Sequence, residues 1–275
     1  MKNRVINSTA FLFAAYFIVH FTSLVSQYII LKLFDVRDVV LYFFYNTYSA
    51  PPEIFWTKIK VFLIFGIGQF MVFMVLMLVL ILFFKLSRRD YKLTVFYNWL
   101  ILVCAAFIIS AVFGAPFFRE ASSLYIVLLW MRFEAGAGGM YVLAIMSLPL
   151  IPLVAFFVRR PFLQMSNTTK WIKTKSLRLQ FYFFTAIIPF LILSLILSLF
   201  IFYLYSYPII NAVSNEGMRL LILGAILFLG AIFSYNKKYL SIHKSNTVHI
   251  SNTPLVVLII VIIFSVYTLL WLNLT

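Results

Sequence analysis

Seven long runs of apolar residues divide the chain, at approximately 10–31, 61–84, 94–114, 138–158, 181–206, 218–235 and 254–273, with polar residues gathered between them. A helix rises about 1.5 Å per residue, so a run of about 20 residues crosses roughly 30 Å of hydrocarbon. Within hydrocarbon each backbone polar group needs an internal partner, which a helix supplies. The pattern predicts an all-α fold: a polytopic transmembrane helical bundle of about seven spans, forming a single integral membrane domain over 1–275. The sixth run is the shortest. The first, behind Met1 to Arg4, begins like a signal peptide, but its roughly 22 apolar residues exceed the about 7–15 of such a segment, so a retained helix is expected.

Two connections are more than loops. Residues 34–57 hold Tyr42, Phe43, Phe44, Tyr45 and Tyr48 before Pro51, Pro52 and Trp56. Aromatic rings with polar edges favour the headgroup layer, so a segment lying on the membrane is expected, as an anchor or as a surface for a lipid or sugar headgroup. Between spans three and four, Leu124 to Met131 form an apolar run too short to cross, flanked by Arg119 and Glu120 before it and Arg132 and Glu134 after it. That piece is expected to be re-entrant or interfacial.

Composition agrees with the pattern. The chain is 64% hydrophobic and 11% charged, against roughly half apolar and a quarter charged in a soluble domain. The charge is sorted as well. Lys2, Arg4, Lys85, Arg88, Arg89, Lys92, Arg159, Arg160, Lys170, Lys173, Lys175, Arg178, Lys237, Lys238 and Lys244 fall in alternate connections, 15 of the 22 basic residues, with Asp90 as the one acid of seven. Basic residues concentrate on the cytoplasmic side, so the expected sense is N-in, C-out. Those connections then carry a net charge of +14 and the others +1, out of a total of +15. The partner this implies is a bilayer with anionic headgroups at the inner face, not nucleic acid, since no soluble basic domain is present. Usage of Phe, Ile, Tyr, Asn and Lys points to an AT-rich bacterial genome, and with it to a bacterial cytoplasmic membrane. The lone cysteine, Cys104, allows no intrachain disulfide and no thiolate metal site.

Candidate chemistry is sparse. Tyr16, His20, Ser23 and Gln27, spaced by four, three and four, share one face of the first span. Such a stripe turns away from lipid, either to bond other helices or to line a path along which His20 titrates near neutral pH. Pro149 and Pro152 in span four and Pro189 in span five break helical hydrogen bonding, as in the interrupted helices of transporters, although proline is also common in ordinary spans. Gly136, Gly138 and Gly139 offer a helix N-terminus to an anion, or close helix packing. Arg119, Glu120, Arg132 and Glu134 are the candidates for an outer-face site: two guanidinium groups to hold a phosphate or carboxylate, and a carboxylate to act as base. Their structural alternative is two ion pairs pinning the short segment.

Absences narrow the function. No His-Glu-x-x-His, serine elbow or Walker motif occurs, His243 and His249 lack companion ligands, and no metal or other cofactor is expected. Every acid is expected at a span end or in a connection, which disfavours an intramembrane aspartyl protease and weakens a proton-coupled pump. The leading expectation is a non-catalytic subunit or scaffold of a membrane complex, with protein partners. The alternatives are an outer-face enzyme acting on a lipid or lipid-linked substrate, and a small transporter with its site near His20 and the proline-bent spans.

Overall fold

The computed structural model describes residues 2–42, 46–49, 51–86, 91–118, 123–130, 136–164, 174–204, 210–235 and 253–274. Among the described residues ten α-helices follow one another: α1 Lys2–Leu33, α2 Lys58–Leu86, α3 Tyr91–Phe118, α4 Ser123–Trp130, α5 Gly136–Ser147, α6 Leu150–Gln164, α7 Lys175–Tyr182, α8 Ile188–Leu204, α9 Ile210–Ser234 and α10 Thr253–Leu274. Six helical stretches are long and apolar enough to cross a membrane: Arg4–Leu33, Lys58–Lys85, Thr94–Phe117, Gly138–Leu163, Lys175–Leu199 and Asn215–Ser234. The last apolar run, expected as a seventh crossing, is the 22-residue helix α10, within which Pro254–Ile263 counts as a shorter apolar helix than the six.

Helices α1 and α3 are the most buried and α2 the least. Small side chains explain this: Ser8, Ala10, Ala14 and Ala15 on α1, and Cys104, Ala105 and Ala106 on α3, are all buried and let neighbouring backbones approach. Helix α1 packs on α2, α3, α8 and α10, and α3 on α2, α5, α6 and α9. On α2, by contrast, Phe62, Phe70, Phe73, Met77, Ile81 and Phe84 point outward.

Proline punctuates the two interrupted stretches. Helix α5 ends at Ser147 and α6 begins at Leu150, with Pro149 in the turn between them and Pro152 inside the first turn of α6, where its missing N–H removes no intrahelical bond. Between α7 and α8 lies a π-helical turn, Phe183–Ile187, with Pro189 two residues beyond it. An α-helix would direct the N–H of residue 189 to the Thr185 carbonyl, and proline has none. The Ser8 hydroxyl of α1 donates to that carbonyl at 2.6 Å, while Trp99 Nε1 of α3 donates to Ser8 Oγ at 3.0 Å. Three stretches of helix thus meet at one break.

The ends are capped by identifiable contacts. Helix α1 closes with Asp35 in the left-handed region (φ 54°), Val36 N bonded to Leu31 O and Asp35 N to Lys32 O, the Schellman pattern. Leu31 and Val36 then pack with Leu24, Tyr28, Val39, Leu41 and Ile64 in a small second core, which also takes Tyr48, Phe55 and Trp56 from the 34–57 connection. A two-residue antiparallel pairing, Val40 with Thr47 and Leu41 with Asn46, braces that connection. Burial raises the Tyr48 phenol pKa above its ordinary value, so the ring stays neutral there. At the far end of α9, Arg178 Nε and Nη2 donate to the Ser234 and Tyr235 carbonyls at 3.3 and 3.0 Å, and Arg159 Nη1 donates to Phe233 O. Cations there satisfy carbonyls that a helix C-terminus leaves open. Two arginines expected among the inner, lipid-facing charges are therefore buried helix caps, at 4% and 1% exposure.

Helices α7 and α9 approach closely at Gly230. A methyl group on Gly230 would overlap Tyr182 Oη and stand 3.1 Å from Tyr182 Cζ, and the Tyr182 ring is fully buried against Phe162. Gly230→Ala is expected to lower stability by about 1–3 kcal/mol through overpacking. Adding Tyr182→Phe removes the clashing oxygen and should restore most of the loss. Thermal unfolding in detergent checks both, and equal losses in the single and double variants would show that the close approach does not limit the packing.

Candidate functional site

The polar stripe on α1 divides among three neighbours. Gln27 Oε1 accepts from Asn46 Nδ2 at 3.2 Å, within the 34–57 connection. Ser23 faces α2, where a Cβ on Gly68 would lie 3.2 Å from the Ser23 carbonyl oxygen. Tyr16 and His20 face α9.

What they meet there is Glu216. Tyr16 Oη donates to Glu216 Oε2 at 2.6 Å, His20 Nδ1 lies 3.4 Å from Oε1, and Arg219 Nη1 donates to the same Oε1. The side chains of His20 and Glu216 are 0% and 2% exposed, and that of Arg219 19%. Both carboxylate oxygens are engaged, as a buried charge requires. The Tyr16 and His20 rings stack with centroids 5.5 Å apart at 11°, one turn from each other on α1. From α3, the Phe107 ring lies under the Arg219 guanidinium at 3.5 Å, a cation–π contact.

Glu216 is the second residue of the candidate span Asn215–Ser234, at a span end as expected, and it is buried there. Helix α9 begins at Ile210, eight residues before the expected 218, so Glu216 occupies its second turn and meets the middle of α1. The polar residues Asn211, Ser214 and Asn215 made this stretch look like a connection. The readable signal was the spacing of Glu216 and Arg219, three apart and able to pair on one helical face.

Charge bookkeeping shows what the cluster can do. Glu216 and Arg219 cancel, so a neutral His20 leaves the group neutral, and a proton on Nδ1 would point at Glu216. A void of about 10 Å³, lined by Tyr16, Val103, Ala106, Phe107, Arg219, Leu220 and Leu223, adjoins the cluster. That is near the minimum for one water. The arrangement can hold or pass a proton, and it has no room for an organic substrate.

The remaining candidates lie apart. Arg119, Glu120, Arg132 and Glu134 fall outside the described residues, as do His243 and His249. The run between the four charges forms the eight-residue helix α4, which packs on α2 and α3 and is too short to cross a membrane. Gly136, Gly138 and Gly139 form the first turn of α5, where a Cβ on Gly138 would meet nothing within 4 Å. Among the described residues no three His, Cys, Asp or Glu side chains gather in a way that could hold a metal ion. No family model, curated protein or solved structure matches the chain.

Removing Arg219 would leave a buried carboxylate without its cation, a change that typically destabilises by about 3–5 kcal/mol. Arg219→Ala should therefore unfold much more readily than the double variant Glu216→Gln, Arg219→Ala, with a coupling of roughly 0.5–3 kcal/mol. Denaturation of the four members of this cycle checks it; strictly additive losses would mean that the two side chains do not act as a pair.

Proposed function

We propose that this chain is an integral protein of the bacterial cytoplasmic membrane with seven crossings, N-in and C-out, that works without covalent chemistry as a small proton-responsive permease. Sorting of the basic residues supports the orientation. One observation carries the activity: Glu216 is buried between α1 and α9, where a histidine, a tyrosine and an arginine all converge on it. Ionisable groups buried among apolar spans are rare and serve ion or proton movement more often than structure alone.

Protonation of His20 has a definite sign. It adds a positive charge 3.4 Å from a carboxylate oxygen, and so tightens α1 against α9. The other groups facing it do not reverse this. Tyr16 is neutral, Arg219 is already paired, and α3 contributes Val103, Ala106 and Phe107. Helices α8 and α10, which also pack on α1, carry no Asp, Glu, Lys, Arg or His. Acid therefore closes this contact and alkali loosens it.

Liposomes loaded with a pH-sensitive dye test the reading. Under an imposed pH gradient, wild-type protein is expected to move protons faster than protein-free liposomes, and His20→Phe, which keeps the stacked ring, to return the rate to baseline. A wild-type rate equal to that of empty liposomes, or an unchanged rate in His20→Phe, would count against it.

A complex subunit with protein partners is the second reading. It is favoured by the outward face of α2, rich in Phe and Met, residue types enriched at protein interfaces. A stoichiometric partner retained through purification in mild detergent would support it, and a lone monomer would weaken it.

A further inference from the structure

Away from the cluster, α2, α3 and α6 leave a groove of about 620 Å³ between them. Its size suits a small-molecule or lipid site, for which about 300–1,000 Å³ is usual. From Leu76 to Phe84 on α2 it runs about 12 Å along the helix axis. The exposed side chains of Phe84, Leu153 and Phe157 form its outward lips, and every lining side chain is uncharged. The polar members, Thr94 and Asn98, belong to the first turns of α3, beside the end of α2 at Leu86. Asn98 Nδ2 donates to Val158 O of α6 at 3.2 Å, close to the end of that helix at Gln164. The groove is therefore apolar along its length and polar where the three helices near their ends.

Hydrogen-bonding capacity is left over at that end. An amide carries two N–H donors and an accepting oxygen, and among the described residues the bond to Val158 is the one that the Asn98 side chain makes, although it is only 1% exposed. Across from it Pro161 lies inside α6. An α-helix would direct the N–H of residue 161 to the Phe157 carbonyl, and proline has none. Phe157 and Pro161 both line the groove, so the carbonyl without its helical donor stands at the wall, one residue from the carbonyl that Asn98 holds. The groove thus offers a neutral acceptor from α6 and a neutral donor and acceptor from α3. Buried polar groups of this kind favour an occupant that pairs them. A phosphate would bring a charge against a lining with no cation to pair it, which is strongly unfavourable. A hydroxyl can donate to the open carbonyl, and an ester carbonyl can accept from the remaining amide N–H. We infer that the α2–α3–α6 groove binds a single diacylglycerol, with an acyl chain between Leu76 and Leu153, its free hydroxyl at the Phe157 carbonyl and an ester carbonyl at Asn98. The site stands whether or not His20 moves protons.

Native mass spectrometry of the full chain, purified in mild detergent and titrated in turn with dioctanoylglycerol, the methyl ether of its free hydroxyl, and dioctanoyl phosphatidic acid, tests this. Wild-type protein should retain one dioctanoylglycerol in preference to both of the others. Pro161→Ala supplies the N–H that closes the Phe157 carbonyl, so the preference over the methyl ether should fall roughly threefold to tenfold, the effect of one neutral hydrogen bond. Leu153→Trp, which fills the groove from an exposed position, should reduce retention of dioctanoylglycerol. Melting temperatures equal to that of wild type confirm that the variants fold, and a variant that melts lower is replaced by Pro161→Ser or Leu153→Phe. Equal retention of dioctanoylglycerol and its methyl ether by wild-type protein, or a preference that Pro161→Ala leaves unchanged, would overturn the hydroxyl assignment. Phosphatidic acid held as well as dioctanoylglycerol would overturn the uncharged head, and undiminished retention in the groove-filled variant would overturn the groove.

Discussion

A carboxylate buried among apolar helices has to be surrounded by donors, and the placement of Glu216 organises the centre of this molecule. Desolvating an isolated charge is prohibitively unfavourable, so α9 holds its position only while Tyr16 and Arg219 reach the two oxygens, with His20 Nδ1 close by at 3.4 Å. That requirement fixes more than a pair of side chains. It sets the rotation of α1, which presents Tyr16 and His20, and the register of α9, which presents Glu216 and Arg219. It also places α3, because the exposed face of the guanidinium is covered by Phe107. Apolar packing alone discriminates poorly between neighbouring registers of leucine-rich helices; a saturated ion cluster does so strongly.

The same rule, that polar groups away from water need partners, governs the helix breaks. Pro189 leaves the Thr185 carbonyl without its α-helical donor, and the bond is made instead from α1, by a serine itself oriented by Trp99. At the other end of α9, Arg159 and Arg178 satisfy the last carbonyls. At these two places a discontinuity in one helix is a bond to another, and a weak point in local structure becomes a specific point of tertiary structure.

Legibility in the sequence follows from these physics. The apolar runs show where helices lie, because hydrophobic length is a property of a segment alone. The face shared by Tyr16 and His20 was visible for the same reason, being a matter of spacing within one helix. Glu216 was not, since whether a polar stretch is a connection or a helical turn depends on what another helix places opposite it. Arg178 was misleading for a related reason: a basic residue at the edge of an apolar run has the same sequence signature whether it meets a headgroup or caps a neighbouring helix. The split of the α1 stripe, with Ser23 turned to Gly68 and Gln27 to Asn46, likewise belongs to the neighbours rather than to the stripe.

Helix α3 borders both the ion cluster and the groove between α2, α3 and α6. Val103, Ala106 and Phe107 face the ion cluster, while Asn98, Ile101 and Ala105 face the groove. At about 100° per residue these sets lie on opposite sides of one helix. The void beside the cluster is about 10 Å³ and the groove about 620 Å³, so one side of the helix is closely filled and the other open. A rotation of α3 that slides Phe107 from under Arg219 must also turn Asn98 and Ile101 relative to α2 and α6. Rigid helices transmit such changes because packed interfaces are not continuously deformable.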